Sequence, residues 1–349
     1  MLNSKPYITR ESGEMVPAQE PIIVSASRST DIPAFYADWF FHRLDKGYSA
    51  WINPFNGVKS YISYKHTRFI VFWSKNPRPL IPYLSKLQDK GIGCYIQFTL
   101  NDYVSEELEK SVPSVDTRIE TFKELVKILG KGRVIWRFDP LILTDKISID
   151  DLLRKIEYIG NNLKGYTEKL VFSFVDIASY RKVEANLKKC GINYIEWTPD
   201  LMNDFAKKLS LLNKKWGFEL ATCGEKIDIE QHGISHNKCI DDDLIIRLAH
   251  RDIELMQHLG VTIEETGIFG EIPDGAIDLG NGKYAVKKKG RKDKGQRVFC
   301  GCIESKDIGE YNTCIHQCEY CYANSSKELA NQNFKRHKNL PISETIIGL

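Results

Sequence analysis

The chain has 349 residues, 42% hydrophobic and 27% charged, which suffices for one large domain or two modest ones with a real core. Its formal net charge is only +3, which excludes a polycation, so any nucleic-acid contact would have to come from a local patch. No apolar run reaches membrane-spanning length and the polar start MLNSKPYITRESGEM has no signal-peptide core, so a cytoplasmic protein with no membrane partner is expected.

The first two-thirds of the chain alternates short apolar runs with longer amphipathic stretches. The runs are IIVSAS (22–27), YSAWINP (48–54), FIVFWSKN (69–76), CYIQFTL (94–100), RVIWRFDP (133–140), KLVFSFVD (169–176) and GFELATC (217–223). Most are apolar on both faces near their starts, as in buried parallel strands. Between them, Pro33 opens a predicted helix over 34–46 that stops before Gly47. A second spans 116–129, with Ile119, Phe122, Val126 and Leu129 at helical spacing and Gly130 as its stop. Ser148 caps a third over 149–162, with Asp151 three residues on and a stripe of Ile149, Leu152, Leu153, Ile156 and Ile159.

This alternation predicts an α/β fold that is TIM-barrel-like, a complete or partial (β/α) barrel, with an open doubly wound sheet as the alternative. Residues 1–225 are expected to form the barrel. Residues 226–349 are expected to be a cysteine-rich C-terminal extension docked on its mouth. Much of that extension is polar and loop-rich, with a basic run, KKKGRKDKGQR, at 287–297. The run reads as a solvated loop or as a phosphate contact.

The C-terminal ends of the predicted strands turn polar in a recurring way. The first leads into Arg28 and Asp31, the second ends in Asn53, and the third in Lys75 and Asn76. The fourth carries Gln97 and Thr99 on one face, the fifth Arg137 and Asp139, and the sixth Ser173 and Asp176. In parallel barrels this end carries the active site. Arg28, Asp31, Lys75, Arg137 and Asp139 are therefore candidate catalytic residues, with Asn53, Gln97, Thr99 and Ser173 as binding groups. The plainer alternative is a set of structural ion pairs and loop caps.

Nine cysteines cannot all pair internally, and five of them fall between 300 and 321. Clustered thiols in a reducing compartment bind metal more often than they form disulfides. Cys314, Cys318 and Cys321 could hold zinc with His316 or a distant cysteine as fourth ligand. A [4Fe–4S] cluster fits the spacing better, with its fourth iron left open. Cys223, Cys239, Cys300 and Cys302 make a second set, suited to a second [4Fe–4S] cluster or to zinc, or else four unrelated thiols. Cys94 and Cys190 read as small buried hydrophobes.

The stretch CIHQCEYC at 314–321 resembles the radical S-adenosylmethionine (SAM) signature C-x3-C-x-aromatic-C, with Tyr320 at the aromatic position. Tyr322 extends the likeness to CxYCY members such as the spore photoproduct lyases. Together with SASRSTDIPAFY, VFWSKNP, QFTL, IWRFDP and FSFVD, it resembles an uncharacterised bacterial family, domain of unknown function 1848, over nearly the whole chain. The family resemblance implies a TIM-barrel-like fold and an iron–sulfur site, and names no substrate. The radical SAM likeness implies SAM on the open iron, with Tyr320 and Tyr322 among the cofactor-binding residues. It also implies a 5′-deoxyadenosyl radical acting on a small-molecule or nucleic-acid-derived substrate, and a reductant such as flavodoxin or ferredoxin.

In ordinary radical SAM enzymes the triplet follows the first strand, whereas here it lies near the other end of the chain. That arrangement implies a permuted barrel, or a C-terminal strand–loop–helix unit carrying the cluster over the mouth. The sequence also lacks a clear glycine-glycine-acid motif. Two other readings stay open. One is a nucleic-acid-binding module with zinc or a structural cluster. The other is a divalent-metal barrel hydrolase using Asp31, Asp139 and Asp176.

Overall fold

The computed structural model describes residues 6–53, 56–267, 270–288 and 292–349. Its centre is an eight-stranded parallel sheet. The strands are β1 Ile23–Ala26, β2 Phe69–Ser74, β3 Gly93–Thr99, β4 Val134–Leu141, β5 Lys169–Phe174, β6 Glu219–Thr222, β7 Ile234–His236 and β8 Lys306–Asp307. Their spatial order is β7-β6-β5-β4-β3-β2-β1-β8. Order follows the chain from β1 to β7, and β8 then returns to pair with β1.

The strands are apolar on both faces because both faces are covered. On one face lie Ile70, Phe72, Ile96, Phe98, Trp136 and Phe172, all fully buried. Helices Val115–Leu129, Ile149–Leu163 and Pro199–Asn213 cover them through Phe122, Leu125, Ile156, Ile159, Phe205 and Leu209. The predicted Ser148–Asp151 capping box is formed, a feature that stabilises a helix by about 1 kcal/mol. The helix expected over 34–46 is instead two, Ile32–Phe35 and Ala37–Lys46, broken at Tyr36. The buried Tyr36 hydroxyl donates to the Thr313 carbonyl at 2.7 Å, so the break serves a long-range contact.

The opposite face presents Ile23, Phe69, Val71, Tyr95, Ile135 and Val171. Helices Asp242–Ala249 and Ile253–Leu259 cover it with Ile245, Ile246, Leu255 and Met256. A three-stranded antiparallel sheet of Val261–Glu265, Ile277–Gly280 and Lys283–Lys287 adds Ala285.

This second layer overturns the barrel expectation. In a barrel the inner faces of the strands pack on one another. Here they pack on residues 240–285, and among the described residues the sheet stays open: β7 pairs only with β6, and β8 only with β1. The expected second strand also lies elsewhere. Tyr48–Ile52 pairs antiparallel with Lys59–Ser63 in a separate four-stranded sheet with Tyr7–Thr9 and Met15–Gln19. Cys94 is buried as expected, but Cys190 is exposed at the end of helix Arg181–Lys189. Among the described residues, no helix is long and apolar enough to cross a membrane.

Candidate functional site

The triplet is carried by the loop that follows β8. Ile308 N donates to the Ser25 carbonyl at 3.1 Å, which extends the β8–β1 pairing. The Thr30 hydroxyl and the Glu310 carbonyl then meet at 2.8 Å, and the Thr30 and Thr313 hydroxyls at 2.7 Å. Gln317, between two ligand candidates, adopts φ 58°, which turns His316 inward ahead of Cys318. Cys318 is buried, while Cys314 and Cys321 are half-buried.

Asp31 anchors this loop. One carboxylate oxygen accepts from Ala34 N at 3.0 Å and Ser74 Oγ at 2.7 Å. The other accepts from Lys75 N at 2.8 Å and faces His316 Nε2 at 2.7 Å. The remaining ring nitrogen, His316 Nδ1, faces the Ser111 carbonyl at 3.3 Å. Both nitrogens are engaged, so His316 is not placed to act as a fourth ligand.

Beside it, Lys75 Nζ donates to Glu109 at 2.6 Å and to the Tyr320 hydroxyl at 3.0 Å, and Tyr320 also donates to Glu109. Arg118 approaches the same carboxylate at 3.9 Å. Burial alone would raise the Glu109 carboxyl, but Lys75 and Arg118 overcome it and hold it at about 2. Burial pushes the Cys314 thiol up to about 12 and Cys318 well above the ordinary thiol range. Metal binding there must therefore displace protons.

The spacing bears on which metal fits. A single zinc ion, with Zn–S about 2.3 Å, holds its sulfurs only about 3.8 Å apart. Among the described residues, no three ligand atoms that include Cys314, Cys318 or Cys321 lie within 4.8 Å of one another. As arranged, the three thiols do not close round a single ion, and His316, engaged by Asp31 and Ser111, does not complete them.

The second cysteine set also converges. Cys223 directly follows β6, Cys239 follows β7, and Cys300 and Cys302 precede β8. Cys223 and Cys239 Sγ lie 3.1 Å apart. Arg137 Nη1 donates to Cys239 Sγ at 3.1 Å and to Gln97 Oε1 at 3.4 Å. Asp139 accepts from Arg137 and from the Ser173 hydroxyl. Hydrogen bonds from Cys223 and Cys302, with Arg137 beside them, hold the Cys239 thiol well below its ordinary range. The same contacts push Cys223 and Cys302 up.

Predicted residues thus divide between the two sets. Asp31, Lys75 and Tyr320 serve the triplet, whereas Gln97, Arg137, Asp139 and Ser173 serve the second set. Arg28 joins them: its carbonyl accepts from Tyr322 OH at 2.9 Å, and its guanidinium lies near Cys302 and over the Trp73 ring. Asn53 lies in the small sheet's turn, its backbone N donating to Val58. Thr99 pairs in register with Arg137. Asp176 caps the turn at Ser179, away from Asp31 and Asp139, so these three carboxylates do not form one site.

Of the basic run, 289–291 lie outside the described residues. Lys287 is engaged by Asp242 and Asp243, Lys292 by the Val298 carbonyl and Arg297 by Tyr180. The acidic group Asp241, Asp242 and Asp243 is already countered by Lys238 and Lys287. A cleft of about 350 Å³, lined by Glu106, Lys110, Thr144, Cys190 and Glu319 among others, includes none of the seven clustered thiols. Sequence reasoning missed Glu109, Trp73 and Asn101, whose side-chain amide donates to the Asp139 carbonyl at 3.1 Å and the Tyr320 hydroxyl at 3.3 Å. Glu109 sits in the polar stretch VSEELEKS, where one carboxylate among several carries no distinguishing signal.

Fold and site together define an open parallel α/β protein with two converging sets of thiols beside the carboxyl ends of its strands. Residues 23–323 match the family described as domain of unknown function 1848, and the chain belongs to that family. No curated protein matches the sequence.

Proposed function

We propose that this protein is a radical SAM-type iron–sulfur enzyme working in a reducing cytoplasm, with Cys314, Cys318 and Cys321 as ligands of a [4Fe–4S] cluster. The observation that carries the reading is the engagement of His316 by Asp31 and Ser111, which leaves the three thiols with no histidine of the loop free to join them. With the cluster and SAM bound, one electron from a flavodoxin- or ferredoxin-like donor would cleave SAM to methionine and a 5′-deoxyadenosyl radical that takes hydrogen from the substrate.

The chain's own residues do the positioning. Asp31 and His316 fix the loop against the ends of β1 and β2, and Lys75, Glu109 and Tyr320 fix its other flank. The loop follows β8, the edge strand beside β1, so in spatial order the triplet comes after the first strand of the sheet. The stretch VFCGCIES at 298–305, read from the sequence as the strand of the strand–loop–helix unit, forms no strand; β8 at Lys306–Asp307 takes that place, and helix Lys327–Asn339 follows the loop. The substrate class stays as the resemblance implies, a small or nucleic-acid-derived molecule.

The test is anaerobic reconstitution with iron and sulfide, followed by EPR of the reduced protein with and without SAM. A cluster signal that shifts on adding SAM, and that disappears in Cys318→Ala, is expected. A signal indifferent to SAM, or zinc in place of iron at the triplet, would overturn the reading.

A further inference from the structure

We infer that Cys223, Cys239, Cys300 and Cys302 form a second, four-thiolate site for a thiophilic metal, separate from the triplet. The inference does not depend on the radical SAM reading and would survive its failure.

The first argument is convergence. The four residues come from three segments spread over 223–302, yet they sit in one string: Cys239 Sγ lies 3.1 Å from Cys223 Sγ, Cys239 N lies 3.2 Å from Cys302 Sγ, and Cys300 is two residues from Cys302. None forms a disulfide. Chance burial of small hydrophobes does not order thiols end to end at the ends of neighbouring strands.

The second argument is the surroundings. Cys302 Sγ accepts from Cys239 N at 3.2 Å and Ile240 N at 3.3 Å. Cys239 Sγ accepts from Asn237 Nδ2 at 3.2 Å and Arg137 Nη1 at 3.1 Å. Donors aimed at sulfur favour thiolate over thiol, and such outer contacts orient ligands at metal–thiolate sites. Arg137 is 2% exposed. It and Arg28 lie on the Trp73 ring, 5.2 and 5.5 Å from its centroid. The buried Arg137 guanidinium, with the partly exposed Arg28 beside it, suits a centre that stays negative after metal binds, as four thiolates around a divalent ion do.

No three of these sulfurs lie within 4.8 Å of one another. A single ion would close the string by side-chain rotation, whereas an iron–sulfur cluster would span it. Either way the thiols lose their protons to solvent as metal–sulfur bonds form.

The test uses the full chain carrying Cys314→Ala, Cys318→Ala and Cys321→Ala, which removes the first set. It is purified anaerobically, and its zinc, iron and acid-labile sulfide are counted. One zinc per chain supports the single-ion form, and iron with matching sulfide supports the cluster form. Adding Cys239→Ser or Cys302→Ser should lower that content by about tenfold or more. A folded triple variant with only trace metal, or one with a Cys223–Cys239 disulfide, would overturn the inference. Should the triple variant fail to fold, Cys239→Ser in the otherwise native chain is the alternative. Metal content must then fall by one centre while the remaining metal stays bound, and unchanged metal content would be fatal.

Discussion

Glu310 shows how much a single side chain in the cysteine-bearing loop is constrained. It is 5% exposed, and burial pushes its carboxyl up to about 8, with the backbone at Ile52 and Ile346 and the charge of Lys59 offsetting only part. The folded chain therefore keeps a proton that the unfolded chain releases near pH 4.5. Stability attributable to this group is full below that pH and is lost as pH rises through about 8. Glu310→Gln removes the titration. The variant should match the native chain near pH 5 and be more stable at pH 9, by an amount on the order of a few kcal/mol. Urea unfolding at the two pH values measures this, and a difference that does not change with pH would contradict it. Lys75 behaves oppositely, since its charge is needed. Lys75→Met leaves the buried Glu109 carboxylate with the Tyr320 hydroxyl and only the more distant Arg118 as countercharge among the described residues, and a loss of about 3–5 kcal/mol is expected in the same assay.

At the scale of elements, the docking of β8 and its loop depends on Gly309. A Cβ there would lie 1.7 Å from Ser27 Oγ, 2.6 Å from Ser27 Cβ and 2.7 Å from Ser29 Oγ. Ser27 cannot simply swing away, because its Oγ accepts from Ser29 N and Thr30 N at 3.1 and 3.2 Å. Gly309→Ala should cost about 1–3 kcal/mol and reduce reconstituted iron, and Ser27→Gly in that background should restore part of both. Native iron content and melting in Gly309→Ala would mean the loop docks differently. The sequence did not reveal this element. FIVFW, CYIQFT and VIWRF announce strands because both their faces are apolar, and Ser148 and Gly130 mark real helix ends. Lys306–Asp307 and Ile234–His236 are short and mostly polar, and they join the sheet by backbone pairing with few side-chain contacts, Ile234 in the core and Asp307 accepting from Ser25 and Arg28 N. Sheet closure was misread for a related reason. It depends on what covers the inner face, and the cover comes from 240–285, where helices of seven and eight residues sit among turns. The seven clustered cysteines were legible by residue type and spacing. The partners of His316, and Arg137 against Cys239, arise from contacts across 285 and 102 positions that no local pattern encodes.

For the whole molecule, the last forty residues close the fold over its first sixty. Phe334 and His337 of helix Lys327–Asn339 pack edge-on against Phe35 and Tyr36. The Ser343 carbonyl accepts from Trp39 Nε1 at 2.9 Å, and the Glu344 carbonyl accepts from Ala50 N at 2.7 Å. The Glu344 carboxylate takes both ends of the Arg10 guanidinium at 3.0 and 2.9 Å. Thr345 and Ile346 are fully buried. Deleting 341–349 therefore removes more than a surface tail. Ile346 alone contributes about 1.5–3 kcal/mol by burial, and the Trp39 and Ala50 groups left without partners add about 1–3 kcal/mol each. The helix that follows the cysteine loop loses its support on the same side. The truncated chain should unfold at lower denaturant and expose 327–339 to protease before the sheet. It should also bind less iron at the triplet while retaining the metal of the second set, whose residues lie on the other face, under helices 242–249 and 253–259. Equal loss at both sets would show that the two thiol constellations stand or fall as one cooperative unit.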